Sequence, residues 1–410
     1  MTVHPTADRR RTALFVAFFV TGLSMASWVS RTPAIRDAID ASTAEMGLVI
    51  AGLSAGSMVG IAAAGTLVAQ RGARFVVLWG MVAIVTGGAT VAIGSGAGLG
   101  WLVAVGLAFF GFGMGSGEIG QNVEGVDVET ALGRVVVPGL HGSYSLGIAV
   151  GGLLGLAAST VGLPVAAHLT AVAVLTAAAA VFLVRSLAPA VGREPGSDLR
   201  RRAPIMQSLR AALAVWTEPR TVAIAVIVLG MALAEGSAND WLPLIMVDGF
   251  ALSAPVAALV YALFGLSMAI GRFSGGYFLD RFGRTPVMVA SAALAVLGIA
   301  TVSFAPGAWI GAAGVVLWGL GAALGFPVAL SAAGDDPVGA ARRVSAVATA
   351  GYTAFLVGPP VLGLIGEHVG LRSAIVVVLV AVAVSTCFAR AVARPASPAE
   401  RGDRVDTPSH

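Results

Sequence analysis

Glu118 and Asn122 lie four residues apart in the apolar stretch Gly117-Glu118-Ile119-Gly120-Gln121-Asn122, and Glu235 and Asn239 repeat the spacing in a second one. Side chains four apart on a helix share a face, so each carboxylate and its amide can look into one cavity. A carboxylate at hydrocarbon depth must be paired or protonated, which suits a group that takes up and releases a proton beside a solute. The other role open to Glu118 is that of a neutral glutamate bonded to a neighbouring helix. For Glu235, coupling and helix bridging stand level. Other polar residues have quieter roles open to them. Asp240 is expected as a solvated acid near the outer end of its helix. Trp28 either lines a site or belongs to an interfacial aromatic belt. Arg31 is expected to pair with Asp37, Arg272 to snorkel or pair with Asp280, and His141, near Tyr144 at the start of their helix, to cap a loop.

The elements that hold these residues must be membrane spans. Of 410 residues 57% are hydrophobic and 11% charged, too little polar surface to cover a soluble protein of this size. The apolar residues form continuous runs of about 20, enough for a helix to cross hydrocarbon and unlike the short alternating strands of a barrel. Twelve runs emerge: 12–32, 46–69, 75–95, 99–122, 137–160, 164–187, 220–244, 254–275, 286–305, 308–332, 343–366 and 372–392. The polar start, Met1 to Arg11, leads straight into a full-length run, so a retained first helix is expected and no signal peptide. All 25 basic residues are arginine, which removes lysine-based covalent chemistry, and the single Cys387 excludes an internal disulfide or a cysteine metal cluster. No Walker loop, zinc pair or nucleophile elbow occurs in a suitable context. No cofactor, no metal and no enzymatic activity are expected.

Arginine counting orients the spans. With the N-terminus inside, 21 arginines face the cytoplasm against Arg31, Arg36 and Arg372 outside, with Arg272 in or near a span. Both termini are therefore expected on the cytoplasmic side of the cell membrane. These arginines orient the protein and are no sign of nucleic acid. The halves repeat: Gly111, Gly113 and Gly117 recur 208 residues later at Gly319, Gly321 and Gly325, Tyr144, Leu154 and Gly155 at Tyr352, Leu362 and Gly363, and Gly22 at Gly230. A parallel repeat predicts two six-helix bundles, residues 1–187 and 220–393, with a solute site between them near mid-membrane. The Pro-, Gly- and Arg-rich segment 188–219 reads as a cytoplasmic linker, and 394–410 as a disordered tail.

After the eighth run, Gly276-Tyr277-Phe278-Leu279-Asp280-Arg281-Phe282-Gly283-Arg284 resembles the G-x-x-x-D-R-x-G-R loop signature of the major facilitator superfamily. The loop after the second run keeps its glycines and basic character, with Arg71 and Arg74, but has lost the acid. The resemblance implies an all-α membrane fold of twelve helices in two pseudo-symmetric bundles. It implies that Gly276, Asp280, Arg281, Gly283 and Arg284, with Arg71 and Arg74, form a conformational latch. Glu118 with Asn122 is similar to the fucose–proton symporter branch, where the matching glutamate is proton-linked, and Leu140 to Gly147 extends the likeness to bacterial permeases grouped there. The sugar symporters' acid in span one is missing, replaced by Ser24, Ser27, Trp28, Ser30 and Arg31. Gly147, Gly151, Gly152 and Gly155 partly resemble an antiporter motif, though close helix packing explains them equally. The expected function is proton-coupled transport of a small polar metabolite, such as a sugar or a related compound, by a monomer whose partners are solute, protons and lipid; a proton-antiporting exporter of drugs or metabolites is the alternative. Glu118 and Glu235 are the proton-coupling candidates. Gln121, Asn122, Trp28, Asn239 and the repeat-related Tyr144 and Tyr352 are the solute-binding ones.

Overall fold

The computed structural model describes residues 5–193, 214–336 and 339–393. Most of the expected linker and the whole tail 394–410 lie outside these. Among the described residues, eleven helices are long and apolar enough to cross a membrane. We label the elements α1 (Ala7–Val29), α2 (Thr32–Ala38), α3 (Thr43–Arg71), α4 (Ala73–Ala97), α5 (Gly100–Leu132), α6 (Val137–Thr160) and α7 (Val165–Ser186) in the first half. The second half comprises α8 (Pro219–Phe250), α9 (Ala254–Phe282), α10 (Arg284–Phe304), α11 (Ala308–Ala333), α12 (Ala340–Val369), α13 (Leu371–Ala374) and α14 (Val376–Cys387). The twelfth expected span is broken into α13 and α14, interrupted at Ile375.

Local chemistry sets the ends. A capping box starts α3, with Ser42 Oγ accepting from Glu45 N–H and the Glu45 carboxylate accepting from Ser42 N–H. Prolines fill first-turn positions of α6, α8 and α9, where no intrahelical N–H is needed. Single glycines at φ 88° (Gly72) and φ 80° (Gly283) join α3 to α4 and α9 to α10, a positive-φ backbone that a residue with a side chain adopts only under strain. These two links lie at one end of the bundle, with the start of α1; we call it the basal end, and its opposite the distal end.

The repeat is visible in packing. A Cβ on Gly111 would lie 1.9 Å from Leu53 O in α3, and one on the repeat-related Gly319 2.8 Å from Phe264 O in α9. Gly113 meets Gly80 in α4, and Gly321 meets Ala295 in α10. At these two pairs equivalent glycines admit equivalent neighbours, as helices without a hydrophobic drive between them require. Gly22 and Gly230 do not follow the pattern, packing on Tyr144 of α6 and Ala381 of α14 respectively.

The halves meet along two seams. One runs the length of α6 and α9, where Gly152 abuts Ala262, Gly265 abuts Ile148 and Ala149, and Gly142 abuts the Phe273 ring. The other closes only the distal end, where α3 crosses α12 at Gly47 and Gly363. Polar contacts reinforce this closure: Arg36 pairs with Asp248, Ala44 N–H donates to the Glu367 carboxylate (3.0 Å), and Ser54 Oγ donates to Phe355 O (2.6 Å). Among the described residues, ion pairs at the basal end stay within one half. Arg10 pairs with Glu124 (2.7 Å) and Asp127 (2.6 Å); Asp335 pairs with Arg220 (2.8 Å) and Arg284 (2.6 Å); Arg343 pairs with Glu218 (2.6 Å). The molecule is closed distally and open basally.

Candidate functional site

Between the halves lies a cavity of about 1360 Å³, lined from Ser54 and Phe355 near the distal seam to the basal loops at Asp280 and Arg284. Its polar floor comes from α8 and α9. Asn239 Oδ1 accepts a hydrogen bond from Tyr261 Oη (2.9 Å), and Asp240 lies beside it with no hydrogen-bond partner among the described residues. Here the structure corrects one expectation and adds one residue. Asp240 is no solvated acid at a helix end: α8 continues through Pro243 to Phe250, which sets Asp240 well inside the span and 94% buried. Membrane helices tolerate such a proline because neighbouring groups satisfy the freed backbone. Tyr261, which hydrogen-bonds the floor, was not among the sequence candidates; its only sign was a tyrosine inside an apolar run.

The middle of the cavity is a charge cluster drawn from four helices. Arg272 of α9 donates to Glu235 of α8 (2.9 Å) and to Ser145 Oγ of α6 (2.6 Å), with a longer bond to Ala323 O of α11 (3.4 Å). Arg272 therefore does not reach Asp280, because its side chain points across the bundle toward Glu235. The pair has side chains 10% and 13% exposed, and so neutralises Glu235 in a desolvated place. Glu118 of α5 lies within electrostatic reach of both, yet its side chain is exposed to the lumen and no described residue hydrogen-bonds it. One acid of the expected couple is thus paired and the other free.

Around this cluster the structure gathers Gln121, Asn122, Tyr144, Asn239 and Tyr352 on the cavity wall, with Phe18, Met25 and Phe355 as apolar neighbours. Asn122 Oδ1 is 3.2 Å from His141 Nε2, and the Phe18 ring meets the imidazole edge-on. His141 is therefore a wall residue and not a loop cap, since α5 runs on to Leu132, ten residues past the expected end, and places Asn122 opposite it. The same extension puts Asp127 and Glu129 inside the helix, where Asp127 serves Arg10. Trp28 is not brought to the cavity. It is 2% exposed and faces Leu169 and Val172 of α7, because α1 turns Thr21 and Met25 toward the lumen instead. Arg31 does not pair with Asp37, which is held by Arg36 (3.2 Å); Arg31 donates to Leu163 O (2.7 Å).

Of the signature-loop residues, Gly276, Asp280, Gly283 and Arg284 line the basal mouth. Arg284 is committed to Asp335 and to Ser331 Oγ (3.1 Å), whereas exposed Asp280 has no partner among the described residues. Arg281 lies over the Phe282 ring and Arg71 over Phe75, cations stacked on aromatic faces, and neither lines the cavity; nor does Arg74. Among the described residues no group of three or more His, Cys, Asp and Glu side chains could hold a metal ion.

This architecture is shared with proteins of known fold. The chain superposes on the nucleoside transporter NupG with a TM-score of 0.72 at 17% identity, covering 93% of this chain and 98% of that one. It superposes on the Escherichia coli fucose:proton symporter FucP with a TM-score of 0.66 at 16% identity, covering 94% and 98%. In sequence it is 29% identical over 381 residues to an uncharacterised MFS-type transporter of Yersinia pestis, covering 92% of this chain and 94% of that one. It is 26% identical over 388 residues to the membrane protein MosC of Rhizobium meliloti, covering 94% and 91%. The Major Facilitator Superfamily model matches residues 14–350 and again 242–408. With a twelve-span fold, a cavity between two halves and that match over most of its length, the chain belongs to the Major Facilitator Superfamily.

Proposed function

We propose that this transporter moves a small polar solute across the bacterial inner membrane, coupled to the movement of a proton on Glu118. The observation that carries the reading is the contrast at the cavity centre: Glu235 is matched by Arg272 at 2.9 Å, while Glu118 faces the lumen without a partner. A carboxylate whose charge is already matched gains little by binding a proton; an unmatched one in a narrow, partly apolar lumen gains more. Asn122, one turn away on the same face, offers the solute both donor and acceptor next to that carboxylate. The solute's preference for one protonation state of Glu118 then couples the two flows.

The arginine-rich basal loops support a cytoplasmic basal end and hence an inward-open state. Alternating access would then open the seam between α3 and α12 and close the basal mouth about the continuous α6–α9 contact. The fucose:proton symporter of like fold supports symport as the leading direction, and together with the nucleoside transporter it supports a small hydroxylated metabolite as the solute.

Glu118→Gln keeps the shape of a protonated glutamate. In proteoliposomes it is expected to bind and exchange solute while losing accumulation driven by a pH gradient. Continued accumulation against a gradient by this variant would remove Glu118 as the coupling residue and move attention to Glu235.

A further inference from the structure

Among the described residues, eight buried side-chain nitrogen and oxygen atoms have no hydrogen-bond partner, and five of them belong to Trp28, Arg31 and His168. All three lie where α1 packs on α7, in the distal part of the first half and away from the central cavity. Arg31 is 6% exposed and His168 5%. A buried donor without an acceptor is costly, and an unneutralised guanidinium more so, so this concentration calls for a chemical reason.

The local backbone does not supply one. Carbonyls at the end of α1 are already engaged: Ser30 N–H donates to Ala26 O (2.9 Å), Arg31 N–H to Trp28 O (3.0 Å), Ser30 Oγ to Ser27 O (3.3 Å) and Thr32 Oγ1 to Val29 O (2.7 Å). Arg31 Nη2 finds Leu163 O at 2.7 Å, which leaves Nε and Nη1 unmatched. No acid is paired with it among the described residues, since Asp37 is held by Arg36. Leu163 O also fixes where the guanidinium sits, one residue before Pro164, the N-cap of α7. Pro164 gives the helix no side-chain cap, so the first N–H groups of α7 have no side-chain acceptor and leave a partial positive charge at the helix start. His168 is one turn into that helix, its side chain tilting back toward the helix start, and it lies within electrostatic reach of Arg31. Both of its ring nitrogens are buried and unpartnered.

We propose that Arg31, His168 and the start of α7 form a buried site for a small monovalent inorganic anion of chloride size. A guanidinium, an imidazole and a helix N-terminus converge there, and each favours negative charge. Burial limits the ligand to a compact ion and excludes carboxylates the size of gluconate. The site is separate from the transport cavity and uses none of its residues.

The test uses the full-length protein in detergent, with gluconate replaced by chloride or bromide at constant ionic strength. The thermal unfolding midpoint of the wild type is expected to rise saturably with either halide. In Arg31→Gln the half-saturating concentration should increase at least about tenfold, as expected when a stabilising ligand loses its main contact. His168→Gln, which keeps a polar side chain of similar reach, should weaken binding less and guards against misfolding of the arginine variant. Crystals grown in bromide should show an anomalous peak within hydrogen-bond distance of Arg31 Nε or Nη1. A halide response identical in wild type and both variants, or ordered water without anomalous signal beside Arg31, overturns the site.

Discussion

Gly47 and Gly363 face each other where α3 crosses α12, and the distal closure depends on their lack of side chains. A Cβ on Gly47 would lie 2.9 Å from Pro359 O, 3.2 Å from Gly363 Cα and 3.3 Å from Pro360 Cα. One on Gly363 would lie 3.0 Å from Thr43 O and 3.1 Å from Gly47 Cα. The near atoms are backbone, so no rotamer change relieves them, and Gly47→Ala must part the two helices by about half an ångström to restore ordinary contact. Overpacking on this scale costs about 1–3 kcal/mol. Alanine also favours helix over glycine by about 1 kcal/mol, but it does so in every conformation of α3, so that gain cancels from the balance between states. The net effect falls on the distally closed state alone, and about 1.4 kcal/mol shifts its population tenfold. The assay is a pair of spin-label distances in a background where the exposed Cys387 is replaced. Labels at Ala38 and Ser253 should report a longer distal separation, and labels at Val135 and Arg342 a shorter basal one. Wild-type distance distributions in Gly47→Ala, with the protein folded, would refute the argument that this crossing sets the conformational balance.

Arg272→Gln leaves Glu235 without its cation and breaks the bond to Ser145, so transport should fall more than about tenfold, as for a broken buried pair; uptake assays should show partial rescue by adding Glu235→Gln. Asp335→Asn should lower stability by about 1.5–3 kcal/mol, because two arginines lose a charge-assisted bond. Its pH dependence follows from the carboxyl itself: burial pushes it up, but hydrogen bonds from Arg284 and Arg220 outweigh that and hold it below the usual carboxylate range. The contribution is therefore full at neutral pH and is lost only as pH falls below about 4, so the gap between wild type and variant in unfolding measurements should stay constant from pH 8 to about 5 and close below that. Asp280→Asn should leave stability within about 0.5 kcal/mol, since the exposed carboxylate has no described partner here, while cysteine accessibility at the two ends shifts if the loop acts as a latch.

The membrane explains what could be read from the sequence. Hydrocarbon thickness imposes run length, so the spans and the loop signature were legible without tertiary information. Glu118 was legible for the same reason, as a lone acid in an apolar run. Partnerships were not. Arg272 lies 37 residues from Glu235 and 127 from Ser145 along the chain, and nothing local marks them as neighbours. Helix ends misled wherever polar residues continue a helix beyond hydrocarbon. α5 extends past Asn122 and α8 past Pro243, which moved His141 and Asp240 from the periphery to the cavity wall. Trp28 failed for a different reason: its register on α1 decides which neighbour it faces, and composition does not encode that register.

In the alternating movement proposed above, the seam between α6 and α9 would behave as a bearing. Its two surfaces touch through Gly152, Gly265, Gly142 and their small or aromatic neighbours, and the one hydrogen bond across it among the described residues is that of Arg272 to Ser145. Surfaces that interlock by shape alone can roll on each other without breaking polar bonds in a medium that offers no replacement for them. The resistance to motion then sits at the rim, in the contacts of Arg36, Glu367 and Ser54, while the axle itself turns with little friction. A roughened axle, such as a larger residue at Gly152, would slow movement in both directions alike, whereas damage at the rim would favour one resting position over the other.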